Sequence, residues 1–226
     1  RQEVDQKAFV HTKTMKTDFQ VCTFMESKVL IDHKEVATAF TSEKKPKSIA
    51  FNYTLSLGKG QTATLQKFAG YAVSLDKNPD GLTELATEVL NEAFTLGYEG
   101  LKEQQKNAWK EIWDMADIVI DGDIKAQQGI RFNIFQLNQT YLGRDARLNI
   151  GPKGFTGEKY GGSTYWDTEA YCIPFYMATK DPKVARNLLT YRYHHLGKAI
   201  ENAEKLGFTN GAALYPMVTN ATTTGK

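Results

Sequence analysis

The sequence predicts a multidomain protein in which a β region is followed by an α region. Apolar and polar residues alternate with a period of two in segments up to residue 75, which is typical of strands. After the turn-forming residues 78–81 the apolar spacing becomes helical, and no strand pattern separates the successive helices. An alternating α/β fold is excluded, because that fold places a strand between consecutive helices.

Two alternating segments and one glycine turn predict the β region. Residues 19–26 and 49–57 each place apolar side chains at every second position. The sequence Gly58-Lys59-Gly60 then indicates a turn into a further strand near 62–75, which makes a hairpin. Strands with this pattern form an antiparallel sheet that packs on one face. Two or three hairpins do not close a sandwich, so we expect the sheet to need strands that precede Arg1.

The helical pattern begins directly after the turn Asn78-Pro79-Asp80-Gly81. Residues 82–93 carry a first apolar stripe, and residues 98–115 are also helix-prone. Trp109 and Trp113 are four positions apart in the second segment, a spacing that favours packing against a neighbouring domain over a role in ligand binding.

Two further helices follow in the second half of the chain. Residues 130–141 repeat apolar residues at helical spacing, with Gly143 as the expected C-terminal cap. Asp181-Pro182 predicts the start of a long helix that Gly207 ends, because aspartate caps helix N-termini and proline suits the first helical position. The expected buried stripe of that helix is Leu189, Tyr193, Leu196, Ile200 and Ala203.

Composition and charge exclude several classes of function. The formal net charge is +2, from 28 basic and 26 acidic residues, so nothing predicts a nucleic-acid partner. No apolar run approaches the roughly 18 residues of a membrane-spanning helix, and no signal peptide is visible. Cys22 and Cys172 are expected to be reduced, which fits a cytoplasmic protein. His194 and His195 lack partners at ligand spacing, so no metal site is predicted.

The candidate functional site lies in the glycine-rich segment 147–176. Glycine allows the backbone to approach a ligand closely, and an indole beside a carboxylate suits a sugar. The sugar's C–H face stacks on the ring while its hydroxyls bond to the acid. Neither a P-loop nor a dinucleotide fingerprint fits the glycine spacing. The alternative is a flexible connection between helices. The residues concerned are Gly151, Gly154, Gly157, Gly161, Gly162, Tyr165, Trp166, Asp167 and Glu169.

The surroundings of this segment add three expectations. A short apolar helix is predicted from about Tyr165 to Ala178, bent by Pro174. Asp167 and Glu169 are two positions apart and point to different faces of a helix, so they are not a facing acid/base pair. One of them is expected to face the ligand and the other to support the loop. Charge pairing within Arg144, Asp145 and Arg147 is expected to tie the loop down.

Recognisable residue patterns occur in five segments of the chain: 131–137, 146–162, 165–169, 181–193 and 213–219. Together these segments resemble glycoside hydrolase family 65, the inverting disaccharide phosphorylases. In that family an N-terminal β-sandwich is joined by a helical linker to an (α/α)6 barrel. The resemblance therefore implies three parts: the end of the sandwich in 1–77, the linker in 78–120 and the first part of the barrel in 121–226.

The resemblance also implies an activity and binding residues. The family phosphorolyses an α-glucosidic disaccharide such as maltose to glucose and β-glucose 1-phosphate with inversion. Inorganic phosphate is the co-substrate, no cofactor or metal is expected, and a homodimer is a possible assembly. One glutamic acid protonates the leaving oxygen while phosphate attacks from the opposite face. Trp166 and Asp167, and with them Tyr165, are implied to bind the non-reducing glucosyl unit.

The sequence departs from the family after Thr219. There the family continues as His-Asn-Glu-Trp-Glu, which carries the general acid, whereas this chain continues as Asn-Ala-Thr-Thr-Thr-Gly-Lys. We therefore expect the general acid downstream of Thr219 and assign no catalytic residue within the chain. Neither Glu158 nor Glu169 is proposed as the general acid. We interpret the chain as an internal fragment that is inactive alone. The alternatives are a non-catalytic carbohydrate-binding or structural fragment, or a related glycoside hydrolase.

Overall fold

The computed structural model describes residues 2–15, 18–151, 160 and 163–219. The chain divides into two compact units, one up to Gln105 and the other from Lys106. The first unit contains an antiparallel sheet followed by helix, and the second is mainly helical. The predicted order of β before α is confirmed.

The first unit is organised around one long central strand, β3, which pairs antiparallel with β2, β4 and β7. A separate hairpin consists of β5 and β6. The predicted strands at 19–26, 49–57 and 62–75 correspond to β3, β6 and β7. The predicted hairpin between the last two is wrong, because β6 pairs with β5 and β7 pairs with β3. The strands of the described residues are β1 (Gln2–Val4), β2 (Lys7–Lys13), β3 (Gln20–Ile31), β4 (Lys34–Val36), β5 (Phe40–Lys45), β6 (Ser48–Tyr53) and β7 (Ala63–Val73).

One face of the sheet packs against the first turns of a long helix, α1 (Leu82–Ala116). The alternation predicted in β3 places Cys22 and Phe24 on the buried face. Helix α1 is interrupted at Gly97, whose φ of 67° and ψ of 178° are not helical. This residue lies between the two helical segments predicted at 82–93 and 98–115. The core of this unit is Phe9, Cys22, Phe24, Phe68, Ala72, Leu82, Ala86 and Leu90.

Within its described residues, the second unit contains the end of α1, four further α-helices and a short strand pair. Asp123 caps α2 by accepting from the Ala126 N–H at 3.0 Å, and Asp181 caps α4 by accepting from the Lys183 N–H at 2.7 Å. The helix start predicted at Asp181-Pro182 is confirmed. The elements are α2 (Ile124–Thr140), β8 (Thr164–Tyr165), α3 (Ile173–Thr179), α4 (Pro182–Tyr193), α5 (Leu196–Lys205) and β9 (Val218–Thr219).

The prediction of one long helix ending at Gly207 is wrong. The segment breaks at His194 and His195 into α4 and α5, with the His195 Nδ1 donating to the Tyr191 carbonyl at 2.7 Å. Two members of the predicted stripe, Leu189 and Tyr193, are 51% and 70% exposed. The predicted stripe assumed one continuous helix. Because the chain breaks at His194 and His195, its spacing does not match the buried face of α4. The residues buried on α4 are Val184, Ala185, Asn187, Leu188, Tyr191 and Arg192.

The structure also bears on three smaller features of the sequence. The Trp109 ring stacks on Phe135 of α2 at 5.0 Å and lies 5.9 Å from Trp113, so these indoles pack within the second unit. Cys22 and Cys172 are both free thiols. Among the helices that the structure describes, none combines the length and the apolar character needed to cross a membrane.

Two tyrosines share the core of the second unit but differ in their hydrogen bonds. Tyr141 and Tyr176 make an edge contact with ring centroids 5.7 Å apart. The Tyr176 hydroxyl donates to the Leu137 carbonyl at 2.9 Å, whereas the buried Tyr141 hydroxyl finds no hydrogen-bond partner among the described residues. Burial, aided by the charge of Asp145, raises the pKa of Tyr141 to about 12.

Gly143 does not cap α2 as predicted, because the helix ends at Thr140 and Tyr141 is already extended. The glycine instead allows a close approach to α4. Its φ is 70°, and a Cβ there would lie 2.5–2.7 Å from three carbon atoms of Val184. Its carbonyl accepts from the Asn187 amide at 2.5 Å.

We expect Gly143→Ala to lower the free energy of unfolding by about 2–4 kcal/mol, because left-handed backbone costs about 1–2 kcal/mol and overpacking about 1–3 kcal/mol. Gly122→Ala is the first control, since its φ is also positive at 86° but no atom lies within 4 Å of its added Cβ. The free energy of unfolding of this control should fall only by the cost of the left-handed backbone. Gly129→Ala, in α2 with open space around it, should be neutral or stabilising. Denaturant unfolding measures all three, and equal losses at Gly143 and Gly122 would contradict the contact with Val184.

The tyrosine pair predicts a dependence on alkaline pH. Because the folded-state pKa of Tyr141 is raised, its contribution to stability is complete below its ordinary pKa of 10 and is lost as the pH rises towards about 12. Tyr141→Phe should therefore unfold at a higher temperature than the wild type by a margin that grows from about pH 9 to about pH 11. At neutral pH this change should be nearly neutral, whereas Tyr176→Phe should cost about 1 kcal/mol by removing a hydrogen bond. A margin independent of pH would disprove the assignment.

Candidate functional site

The chain around the predicted binding residues is a strand followed by a wide helical turn. Tyr165 ends strand β8, and a π-helical turn, Thr168–Cys172, leads into α3. In that turn the Ile173 N–H donates to the Thr168 carbonyl, five residues back. The helix predicted to start at Tyr165 therefore begins later. Pro174 has no N–H to donate, which suits a widened turn at this position.

The predicted binding residues are consecutive at the end of β8. Trp166 is 50% exposed and Asp167 is exposed, while Tyr165 is half-buried with its ring in edge contact with Tyr160 at 5.6 Å. The indole and the carboxylate are therefore both accessible to a ligand. Most of the glycine-rich loop, including Gly154, Gly157, Gly161, Gly162 and Glu158, lies outside the described residues.

Glu169 has a supporting role, as expected for one of the two carboxylates. Its Oε1 accepts from the Arg192 Nε at 2.7 Å and its Oε2 accepts from the Arg192 Nη2 at 3.1 Å. The two side chains are 25% and 9% exposed, respectively, so this is a largely buried, bidentate ion pair. Asp167, two residues earlier, is left on the exposed side.

Arg192 contacts two further segments with its remaining donors. Its Nη2 donates to the Tyr165 carbonyl at 3.0 Å, and its Nη1 donates to the Thr219 hydroxyl at 2.6 Å. Thr219 lies in β9, which pairs antiparallel with β8, and its side chain lies 2.5 Å from the Thr164 hydroxyl. One guanidinium thus joins β8, the π-helical turn and β9.

Arg192 and Thr219 contact the predicted binding segment, although neither was among the residues predicted for the site. The position of Arg192 indicates a structural role, because it follows the fully buried Leu188 by four positions and so lies on the buried face of α4. A charge on that face needs a partner. The identity of the partner, 23 residues away, could not be read from helical spacing.

The start of the glycine-rich segment is also fixed to the site. The buried Thr168 hydroxyl donates to the Ile150 carbonyl at 2.8 Å, which ties the π-helical turn to the segment before Gly151. Arg147 pairs with Asp145 through contacts of 2.5–2.9 Å and holds the pKa of that carboxyl below its usual value. The charge pairing expected here is confirmed for these two residues.

Two observations describe the electrostatics of this turn. Burial, together with the charges of Asp167 and Glu169, raises the pKa of the Cys172 thiol, which keeps it protonated and unreactive. Within the described residues no group of three or more His, Cys, Asp or Glu side chains is arranged to hold a metal ion. The arrangement can stack a ligand on Trp166 and accept its hydrogen bonds at Asp167.

Comparison with known proteins gives a consistent result along the chain. Residues 1–112 match the glycosyl hydrolase family 65 N-terminal domain, and residues 131–226 match the glycosyl hydrolase family 65 central catalytic domain. Residues 113–130 lie between the two matches.

Three curated relatives are disaccharide phosphorylases. Maltose phosphorylase of Bacillus subtilis (strain 168) is 57% identical, over 70% of this chain and 20% of its own length. Alpha,alpha-trehalose phosphorylase of Thermoanaerobacter brockii is 37% identical, over 93% of this chain and 26% of its own. Kojibiose phosphorylase of Caldanaerobacter subterraneus subsp. tengcongensis is 36% identical, over 69% of this chain and 20% of its own. The chain spans between a fifth and about a quarter of these relatives.

A solved structure shares the fold. It comes from the human microbiome, is described as a kojibiose phosphorylase, and matches with a TM-score of 0.76 at 27% identity, over 96% of this chain and 28% of that one. The antiparallel sheet and the helices after it correspond to the family's N-terminal sandwich and the start of its helical barrel. The chain belongs to glycoside hydrolase family 65.

Proposed function

We propose that the protein containing this chain is an inverting disaccharide phosphorylase, that its substrate is maltose, and that this chain supplies part of the glucosyl-binding site. The observation that carries the choice of maltose is the 57% identity to a maltose phosphorylase, against 37% and 36% for the trehalose and kojibiose relatives.

The reaction divides the chemistry between phosphate and one acid. An oxygen of inorganic phosphate forms a bond to C1 of the glucosyl unit on the face opposite the leaving sugar. The glycosidic C–O bond breaks, and the leaving oxygen takes a proton from a general acid. The products are glucose and β-glucose 1-phosphate. Within this proposal the acid and the phosphate-binding groups lie downstream of Thr219, and phosphate is a co-substrate rather than a cofactor.

The described residues suit the non-reducing glucosyl unit. The half-exposed indole of Trp166 offers an apolar face to the C–H face of the sugar, and the exposed Asp167 carboxylate accepts hydrogen bonds from its hydroxyls. Tyr165 shapes the pocket beside them. Glu169 is already held by Arg192, so it does not supply the second carboxylate that a hydrolase of this geometry would need.

A proton NMR time course tests the reaction in the full-length protein. Maltose should give β-glucose 1-phosphate only when inorganic phosphate is present, and trehalose and kojibiose, run in parallel, should react more slowly. Release of glucose without phosphate would show a hydrolase. Faster turnover of trehalose or kojibiose would overturn the choice of maltose.

Asp167→Asn tests the binding role. Hydrogen bonds to a charged group contribute about 1.5–3 kcal/mol each, so losing the charge should lower kcat/KM for maltose by about 10²-fold. Asp121→Asn, at another exposed aspartate, is the matched control and should stay within about twofold of the wild type. Equal kinetics for the two variants would remove Asp167 from the site.

A further inference from the structure

The buried guanidinium of Arg192 contacts three segments that are distant in sequence. Its partners are the Tyr165 carbonyl in β8, the Glu169 carboxylate in the π-helical turn and the Thr219 hydroxyl in β9. Between the first two of these partners lie Trp166 and Asp167. The backbone of this pair is therefore held on both sides by the same planar group.

The geometry uses features that lysine does not have. The Nε and Nη2 atoms meet the two oxygens of Glu169 side by side, while Nη1 reaches Thr219. This fork is fixed by the planarity of guanidinium, whereas an ammonium is a point charge on a flexible stem. The contact therefore fixes the orientation of Glu169 relative to Arg192 and also balances the two charges.

The hydroxyl groups extend the network without a conflict between donors. The Thr219 hydroxyl accepts from Arg192 and can donate to the Thr164 oxygen at 2.5 Å. The Thr164 hydroxyl in turn donates to the Thr219 carbonyl at 3.2 Å. Each hydroxyl then donates once and accepts once, so the β8–β9 pair is locked in one register by Arg192.

We propose that Arg192 is the positioning residue of the glucosyl site: it sets the orientation of Trp166 and Asp167 relative to β9. This inference rests on the proposed function, because that function makes Trp166 and Asp167 the sugar-binding pair. Arg192 itself does not touch the sugar. Its loss displaces groups that do, and small displacements of binding groups are costly for catalysis.

Arg192→Lys in the full-length protein is the central test, because it keeps the charge and removes the fork. We expect kcat/KM for maltose to fall by about 10–100-fold, with a raised KM for maltose and an unchanged KM for phosphate. Loss of folded protein alone would lower the apparent kcat and leave both KM values as they are. A change in kcat without a change in the maltose KM would therefore overturn the proposal.

Two controls separate this role from a general effect of changing an arginine. Arg131 makes a bidentate pair with Asp117 at 2.6–2.8 Å but is 47% exposed, so Arg131→Lys should keep wild-type kinetics. Thr219→Ser keeps the hydroxyl and should have a maltose KM closer to that of the wild type than Thr219→Val, which should shift the maltose KM in the same direction as Arg192→Lys. Equal kinetics for the serine and valine variants would overturn the role of this hydroxyl network.

A direct binding measurement distinguishes failure of this inference from failure of the proposed function. Calorimetry with maltose, without phosphate, should give a weaker Kd for Arg192→Lys than for the wild type. A wild type that binds maltose without turnover would overturn the phosphorylase proposal only, and the ratio of Kd values would still decide the role of Arg192. A wild type that neither binds nor cleaves maltose would overturn both.

Discussion

A guanidinium that is withdrawn from water must find acceptors for its N–H groups, and this requirement organises the candidate site. The side chain of Arg192 is 9% exposed, and its acceptors come from β8, the π-helical turn and β9. A buried ion pair contributes little net stability, because the desolvation of both charges offsets their attraction. Its effect here is on geometry, because the guanidinium reaches its acceptors only when the three segments are arranged in this one way.

The sequence predicts those parts of the fold that depend on local pattern. β3 and β6 could be predicted because apolar and polar residues alternate along them, and β7 because a glycine turn precedes it. α4 could be predicted because Asp181 and Pro182 act within one turn. β5 was missed because most of its side chains are exposed, which leaves no alternation to read. The break between α4 and α5 was missed because the apolar count continued across His194 and His195 without a proline or glycine to mark it.

The candidate site divides in the same way. Trp166 and Asp167 could be proposed from residue type. The spacing of two residues predicted different roles for Asp167 and Glu169, but it did not say which carboxylate would have which role. The carboxylate's partner could not be predicted, because Arg192 is 23 residues away and a helical pattern does not say which helix faces which turn. The strand character of Tyr165 was missed for a related reason: a two-residue strand exists only through its partner.

The pairing of Thr164 with Thr219 spans 55 residues, and α3, α4 and α5 lie between the two strands. Contacts of such long sequence separation form late, because the intervening chain must first be ordered. During synthesis, β9 leaves the ribosome after all three helices have been made. Trp166 and Asp167 are therefore translated well before Arg192 and Thr219, whose contact fixes the segments around them. The arrangement of this pair relative to β9 can form only after Thr219 has left the ribosome.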